Sequence, residues 1–132
     1  GLRAARYSAP PIVGLSRLRA PAAPLIHGGA EALPFPREWA DFVLGQGLFP
    51  HLERPGLFLA HADRVLRPGG WLVLPHTASR ERINRVHREG GEPICRDLLP
   101  PVAEAVETLA AAGFRPGPRR DDEEAWLVSG RR

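Results

Sequence analysis

Lysine is absent from the 132 residues, and cysteine and asparagine occur once each, as Cys95 and Asn84. A single thiol excludes a disulfide scaffold and any structural zinc site built on paired cysteines, and it leads us to expect a reducing, cytoplasmic compartment. No stretch approaches the roughly 20 consecutive apolar residues a membrane-spanning helix needs. Apolar residues make up 43% and charged residues 25% of the chain, which excludes a disordered tail or a collagen-like fibre. Glycine and proline are plentiful, at 14 and 15 residues, yet periodic apolar segments survive between them. The expectation is one loop-rich globular domain.

The charge is less informative than it looks. Net +3 rests entirely on arginine, since all 18 basic residues are of that type. Abundant Ala, Gly, Pro and Arg without Lys is the mark of a G+C-rich coding bias. The arginines are scattered, and the one doublet before the C-terminus, Arg119-Arg120, adjoins the acidic run Asp121 to Glu124. A solvated mixed surface is expected, with neither a nucleic-acid nor a membrane partner.

Short apolar runs alternate with helical patterns along the chain. Gly1 to Ala9 has helical composition without a starting cap. Pro11 to Leu15, Leu25 to His27 and Asp41 to Gly45 read as buried strands, and Arg17 to Ala23 is broken by prolines. Pro55 to Leu66 is the clearest early helix, with proline in its first turn and Leu57, Phe58, Ala62, Val65 and Leu66 expected on one face. Arg67-Pro68-Gly69-Gly70 is read as a tight stop before the strand Trp71 to Leu74. Ser79 is placed to cap a helix to about Arg88, Pro101 to Ala112 forms another ending at Gly113, and Phe114 to Pro118 reads as a short edge strand. Ala125 to Ser129 is the last strand. This order implies an α/β fold: a partial Rossmann-like, doubly wound, mostly parallel sheet.

Ligands of such sheets bind beyond the carboxyl ends of the strands. That draws attention to Ser16, to Gly28 through Glu31, to Gly45-Gln46-Gly47 and to Pro75-His76. Of the histidines, His51, His61 and His87 are read as surface or structural groups, because their spacing matches no zinc pattern; no metal is expected. His76 stands apart as a candidate substrate contact or general base at the end of a strand. Cys95 is read as an incidental thiol, Asp121 to Glu124 as a solvated turn, and Trp39, Trp71 and Trp126 as sheet or core residues.

Three phrases together resemble the class I S-adenosylmethionine-dependent methyltransferases of the type 11 kind. Gly28-Gly29-Ala30-Glu31-Ala32-Leu33-Pro34-Phe35 is similar to the family's GDAExLPF loop, Trp39 to Leu44 to its fourth strand, and Arg64 to Leu72 to its RVLRPGGxL phrase. The resemblance covers roughly residues 12 to 129. It implies S-adenosylmethionine as cofactor and a small-molecule methyl acceptor. It also implies cofactor contacts at Gly29, Ala30, Glu31, Gly45 and Gln46, with Gly45 and Gly47 leaving room for methionine and substrate. His76 lies on the substrate side, and Ala78 to Leu99 is expected over the acceptor pocket.

The chain also departs from the family. It has no GxGxG phrase, Ser16 replaces the acid expected after the second strand, and Gly29 replaces the aspartate of GDAExLPF. By this alignment residues 1–132 form a single, N-terminally truncated methyltransferase domain, expected to be inactive in isolation. The alternative expectation is a non-catalytic interaction module that has lost cofactor binding. A nicotinamide dehydrogenase is disfavoured because no GxGxxG phrase occurs.

Overall fold

A computed structural model describes the backbone of residues 14–16 and 25–27 and, in full, residues 29–132. The helical segment expected at 1–9, the start of the Pro11–Leu15 run, the stretch 17–23 and Gly28 lie outside these. Two short strands, β1 (Gly14–Ser16) and β2 (Leu25–His27), pair in parallel.

The centre of the fold is one parallel crossover: β3 (Ala40–Leu44), α1 (Pro55–Val65) and β4 (Leu66–His76). Pro55 occupies the first turn of α1, where its missing N–H leaves no helical bond unmade. Phe58, Leu59, Ala62 and Val65 recur at helical spacing and are at most 1% exposed. Each larger side chain among them contributes about 1.5–3 kcal/mol by leaving water. Leu57, expected on that face, is instead exposed. It falls on the neighbouring stripe with His61 and Arg64.

The Arg67-Pro68-Gly69-Gly70 phrase is not a separate turn, as the sequence suggested, but a bulge within β4. Ala40 pairs with Leu66 and Phe42 already pairs with Trp71, so residues 67–70 loop out opposite Asp41. Gly69 adopts φ +84°, a conformation that side chains with a Cβ disfavour. A Cβ on Gly70 would come within 2.9 Å of the Arg67 carbonyl and 3.0 Å of the Asp41 carbonyl, both rigid backbone.

Two arginines of the longer Arg64 to Leu72 phrase hold its distant neighbours. Arg64 donates to the carbonyls of Phe35 (2.6 Å) and Leu33 (2.9 Å), fastening the loop after β2 to α1. Arg67 donates to the Glu38 carbonyl (3.2 Å) and to Asp41 Oδ1 (2.8 Å) at the start of β3. The three phrases occur together because they touch.

β4 pairs on its other side with β7 (Trp126–Arg131), antiparallel, and β7 carries the short strands β5 (Arg115–Pro116) and β6 (Arg120–Asp121) on its far edge. The sheet is therefore mixed, with order β3-β4-β7-β5. Helix α2 (Arg80–Glu89) begins where Ser79 Oγ accepts the Arg82 N–H at 3.1 Å. Helix α3 (Val102–Ala111) ends as expected at Gly113, φ +97°, with Phe114 N donating to Leu109 O at 3.1 Å and Gly113 N to Ala110 O at 2.9 Å. Leu72, Leu74 and His76 of β4 lie across from Gly130, Val128 and Trp126 of β7. That face forms the core with α1 and α3. On the opposite face Leu44 is 57% exposed and Phe42 39%.

Candidate functional site

The carboxyl ends of β3 and β4 lie side by side, and the chain does not leave the sheet at once. Gly45 N donates to Val73 O (2.9 Å) and Gly47 N to Pro75 O (3.0 Å), carrying the segment after β3 along β4. Gly47, at φ +62°, then turns it into a short 3₁₀ turn, Phe49–His51. Phe49 packs on Trp126 with ring centroids 5.7 Å apart, which seats His51 above the end of the sheet.

Four groups from different parts of the chain converge here. His51 Nδ1 lies 2.8 Å from Asp97 Oδ2, and the His51 and His87 rings meet at 4.9 Å. His87, near the end of α2, bonds through Nδ1 to the Asp97 carbonyl, whose oxygen can only accept; Nδ1 is therefore the protonated nitrogen. Asp97 itself follows a 3₁₀ turn, Ile94–Arg96, with its N–H on Ile94 O at 2.9 Å. His76, the last residue of β4, is 6% exposed and meets Trp126 edge-on at 5.8 Å. Its Nε2 is buried and has no hydrogen-bond partner among the described residues. Burial, with smaller effects from His51 and His87, lowers its pKa to about 4, so it is neutral at pH 7. Among the described residues no group of three His, Cys, Asp or Glu side chains is arranged to hold a metal ion.

The sequence singled out His76 and read His51 and His87 as unrelated surface or structural groups. The structure brings all three together. Asp97, whose carboxylate meets His51 and whose carbonyl meets His87, was missed, as was Asn84. Asn84 is 5% exposed and clamps Leu99 from both sides: its Nδ2 donates to Leu99 O (3.0 Å) and its Oδ1 accepts from Leu99 N (2.7 Å). That pins the segment after Asp97 to α2. A lone asparagine inside an amphipathic helix was the one available sequence signal.

The expected cofactor-side residues fall in two places. Gly29, Ala30 and Glu31 form a half-buried turn after β2, closed by Ala32 N on Gly29 O at 3.1 Å. Glu31 Oε2 accepts the Arg54 N–H at 2.6 Å, so this turn reaches the start of α1, three residues beyond His51. Gln46 is exposed at the end of β3, whereas Gly45 is buried. A Cβ on Gly45 would lie 2.6 Å from Leu74 Cδ2 and 3.0 Å from Leu48 Cδ2, so on that side Gly45 packs directly against two leucines. Gly47 does have open space around it, with nothing among the described residues within 4 Å of an added Cβ.

The resemblance assigns these residues to the adenine side of S-adenosylmethionine; the turn bears nothing larger than a methyl at 29–30, and Gln46 is exposed. One Glu31 oxygen is already engaged by the backbone of Arg54. For the methionine end the chain offers no glycine-rich loop, and at position 16 it has serine rather than an acid.

An open α/β sheet with polar groups gathered past the ends of parallel strands places the fold in the doubly wound class, whose ligands bind at that edge. A family described as "methyltransferase domain" matches residues 8–74, half of the chain, and the protein belongs to that family. Phthiotriol/phenolphthiotriol dimycocerosates methyltransferase 1 of Mycobacterium ulcerans (strain Agy99) is 45% identical over 56 residues, 40% of this chain and 20% of that protein. Its Mycobacterium tuberculosis H37Rv counterpart is 45% identical over 58 residues, 42% and 20% of the two chains. The matched stretch thus spans a fifth of the length of these relatives.

Among solved structures, the complex of the Haloferax volcanii Trm112 methyltransferase activator with a methyltransferase matches with TM-score 0.70 and 18% identity. The match covers 90% of this chain and 70% of that one. An S-adenosylmethionine-dependent methyltransferase from Mesorhizobium loti matches with TM-score 0.69 and 14% identity over 92% of this chain and 80% of that one. At such identities the likeness is one of fold.

Proposed function

We propose that the protein transfers a methyl group from S-adenosylmethionine to a small-molecule acceptor in the cytoplasm. The observation that carries this reading is the family match over β3, α1 and most of β4, whose strand ends support the polar cluster described above. Bound S-adenosylmethionine supplies an electrophilic methyl group, and the protein's part is to hold an acceptor in line with it. Gly29, Ala30 and Glu31 would take the adenine side, with the Gly45 backbone and the Gln46 side chain beside them, while His76 faces the acceptor. The curated relatives are named as phthiotriol/phenolphthiotriol dimycocerosates methyltransferases.

The test is titration calorimetry of the full-length protein with S-adenosylmethionine, followed by detection of S-adenosylhomocysteine. Micromolar binding is expected, weakened about 3- to 10-fold by Gln46→Ala, as for loss of one net hydrogen bond. Absence of any binding heat would overturn the reading and favour a non-catalytic interaction module, a possibility raised by Gly29 and Ser16.

A further inference from the structure

We infer that His51, oriented by Asp97, is a general base that takes the proton from a hydroxyl group on the methyl acceptor. The inference rests on the methyl-transfer reading above and names the acceptor chemistry that reading leaves open.

The orientation follows from hydrogen-bond chemistry. An ionised carboxylate only accepts, so the 2.8 Å contact between Asp97 Oδ2 and His51 Nδ1 places the His51 proton on Nδ1. The Nε2 lone pair is then available, and the His51 imidazole makes no other hydrogen bond among the described residues. Base and orienting carboxylate stand in the relation that activates weak nucleophiles. His51 has 36% of its side chain exposed and Asp97 34%, so a ligand can reach the pair without unfolding it. Asp97 is itself held, by its own N–H on Ile94 O and by His87 on its carbonyl.

A second feature points to a ligand at the same place. His76 Nε2 is buried near His51 and His87 with no hydrogen-bond partner among the described residues, and an unpaired buried polar atom costs about 1–3 kcal/mol. A hydrogen-bonding acceptor group would relieve that cost. The chemistry favours a hydroxyl over an amine. A neutral amine attacks with its free lone pair, whereas a hydroxyl oxygen is a weak nucleophile until its proton is removed. The step is balanced within the site: the acceptor O–H bond breaks, its electron pair stays on oxygen, and the proton moves to His51 Nε2. The resulting imidazolium faces the Asp97 carboxylate. The other titratable groups of the cluster are His87, on α2, and His76, on β4.

Two measurements test the assignment in the full-length protein. In long-range ¹H–¹⁵N spectra of histidine-labelled protein, neutral His51 is expected to carry its proton on Nδ1. The Nε2–H tautomer would overturn the proposal. The second uses matched probes, phenol with aniline and catechol with 2-aminophenol, incubated with S-adenosylmethionine and analysed by mass spectrometry. Oxygen methylation is expected, with kcat falling on the acid side of its pH profile. His51→Gln should lower kcat by about 10²–10⁴-fold and abolish that acid limb, while KM changes little. Asp97→Asn should likewise lower kcat, with KM little changed.

Methylation confined to the amino groups, or of none of the hydroxyls by protein that binds S-adenosylmethionine, overturns the base assignment and leaves the methyl-transfer reading standing. So does a His51→Gln enzyme within twofold of wild type. Failure to bind S-adenosylmethionine overturns the reading beneath it.

Discussion

His76 illustrates how a single residue couples burial to chemistry. Its pKa of about 4 in the folded state lies below the 6.5 of an unperturbed histidine, chiefly because burial disfavours the charged ring. The sign of the consequence is fixed by linkage. Between pH 6.5 and 4 the unfolded chain binds a proton at this position that the folded chain does not, so stability is lost as pH falls through that window. His51 and His87 face His76 and deepen the effect. In urea unfolding at pH 7 and pH 5, wild type should lose more stability than His76→Leu. The difference is bounded by one proton, about 1.4 kcal/mol per pH unit. Parallel losses in the two proteins would show that His76 titrates normally.

Two glycines separate packing from conformation at the same scale. Gly45 is small because Leu74 and Leu48 close over it, and Gly47 is glycine because the chain turns there with positive φ. The sequence signalled that small residues were required at both positions. Only the surroundings distinguish the two reasons.

Among the elements, Arg64 of α1 does the most to position the candidate cofactor loop. Its guanidinium holds two carbonyls of the segment after β2, and it is also 3.2 Å from His61 Nδ1. Arg64→Ala would leave the carbonyls of Leu33 and Phe35 without their charged donor, a loss of about 1.5–3 kcal/mol for each bond to a charged group. We expect amide exchange in residues 29–36 to quicken by at least tenfold, with exchange in β4 and β7 accelerating less. Equal acceleration across the whole sheet would instead mark Arg64 as a determinant of global stability.

The elements also show which local signals survived folding. Caps and stops were legible where the chain needs special chemistry: proline opening α1, Ser79 before α2, Gly113 after α3. The phrase at 67–70 misled. Its glycines serve a bulge that keeps β4 in register with β3, and register is a relation between two strands rather than a property of either.

For the whole molecule, Trp126 is where the layers meet. It is fully buried on β7, packs on Phe49 and His76, and donates from Nε1 to the Pro100 carbonyl at 3.0 Å. One side chain thus connects the sheet, the turn bearing His51 and the segment leading into α3. Trp126→Phe retains an aromatic ring but loses volume and the hydrogen bond. It should destabilise the fold by about 2–4 kcal/mol. Thermal denaturation gives the stability loss, and the His51 imidazole resonances should shift in the same variant. An unchanged His51 environment would separate the histidine cluster from the core.

The single thiol, the all-arginine charge, the α/β order and the three phrases were settled by sequence alone, because each depends on composition or on neighbours close along the chain. The phrases were legible for a physical reason: Arg64 and Arg67 must meet Leu33, Phe35 and Asp41, so their spacing is constrained. The pairing of His51 with Asp97, 46 residues apart, follows no period and left no local mark. Tertiary structure alone decided it, by laying the ends of β3 and β4 together and folding α2 and its following turn over them.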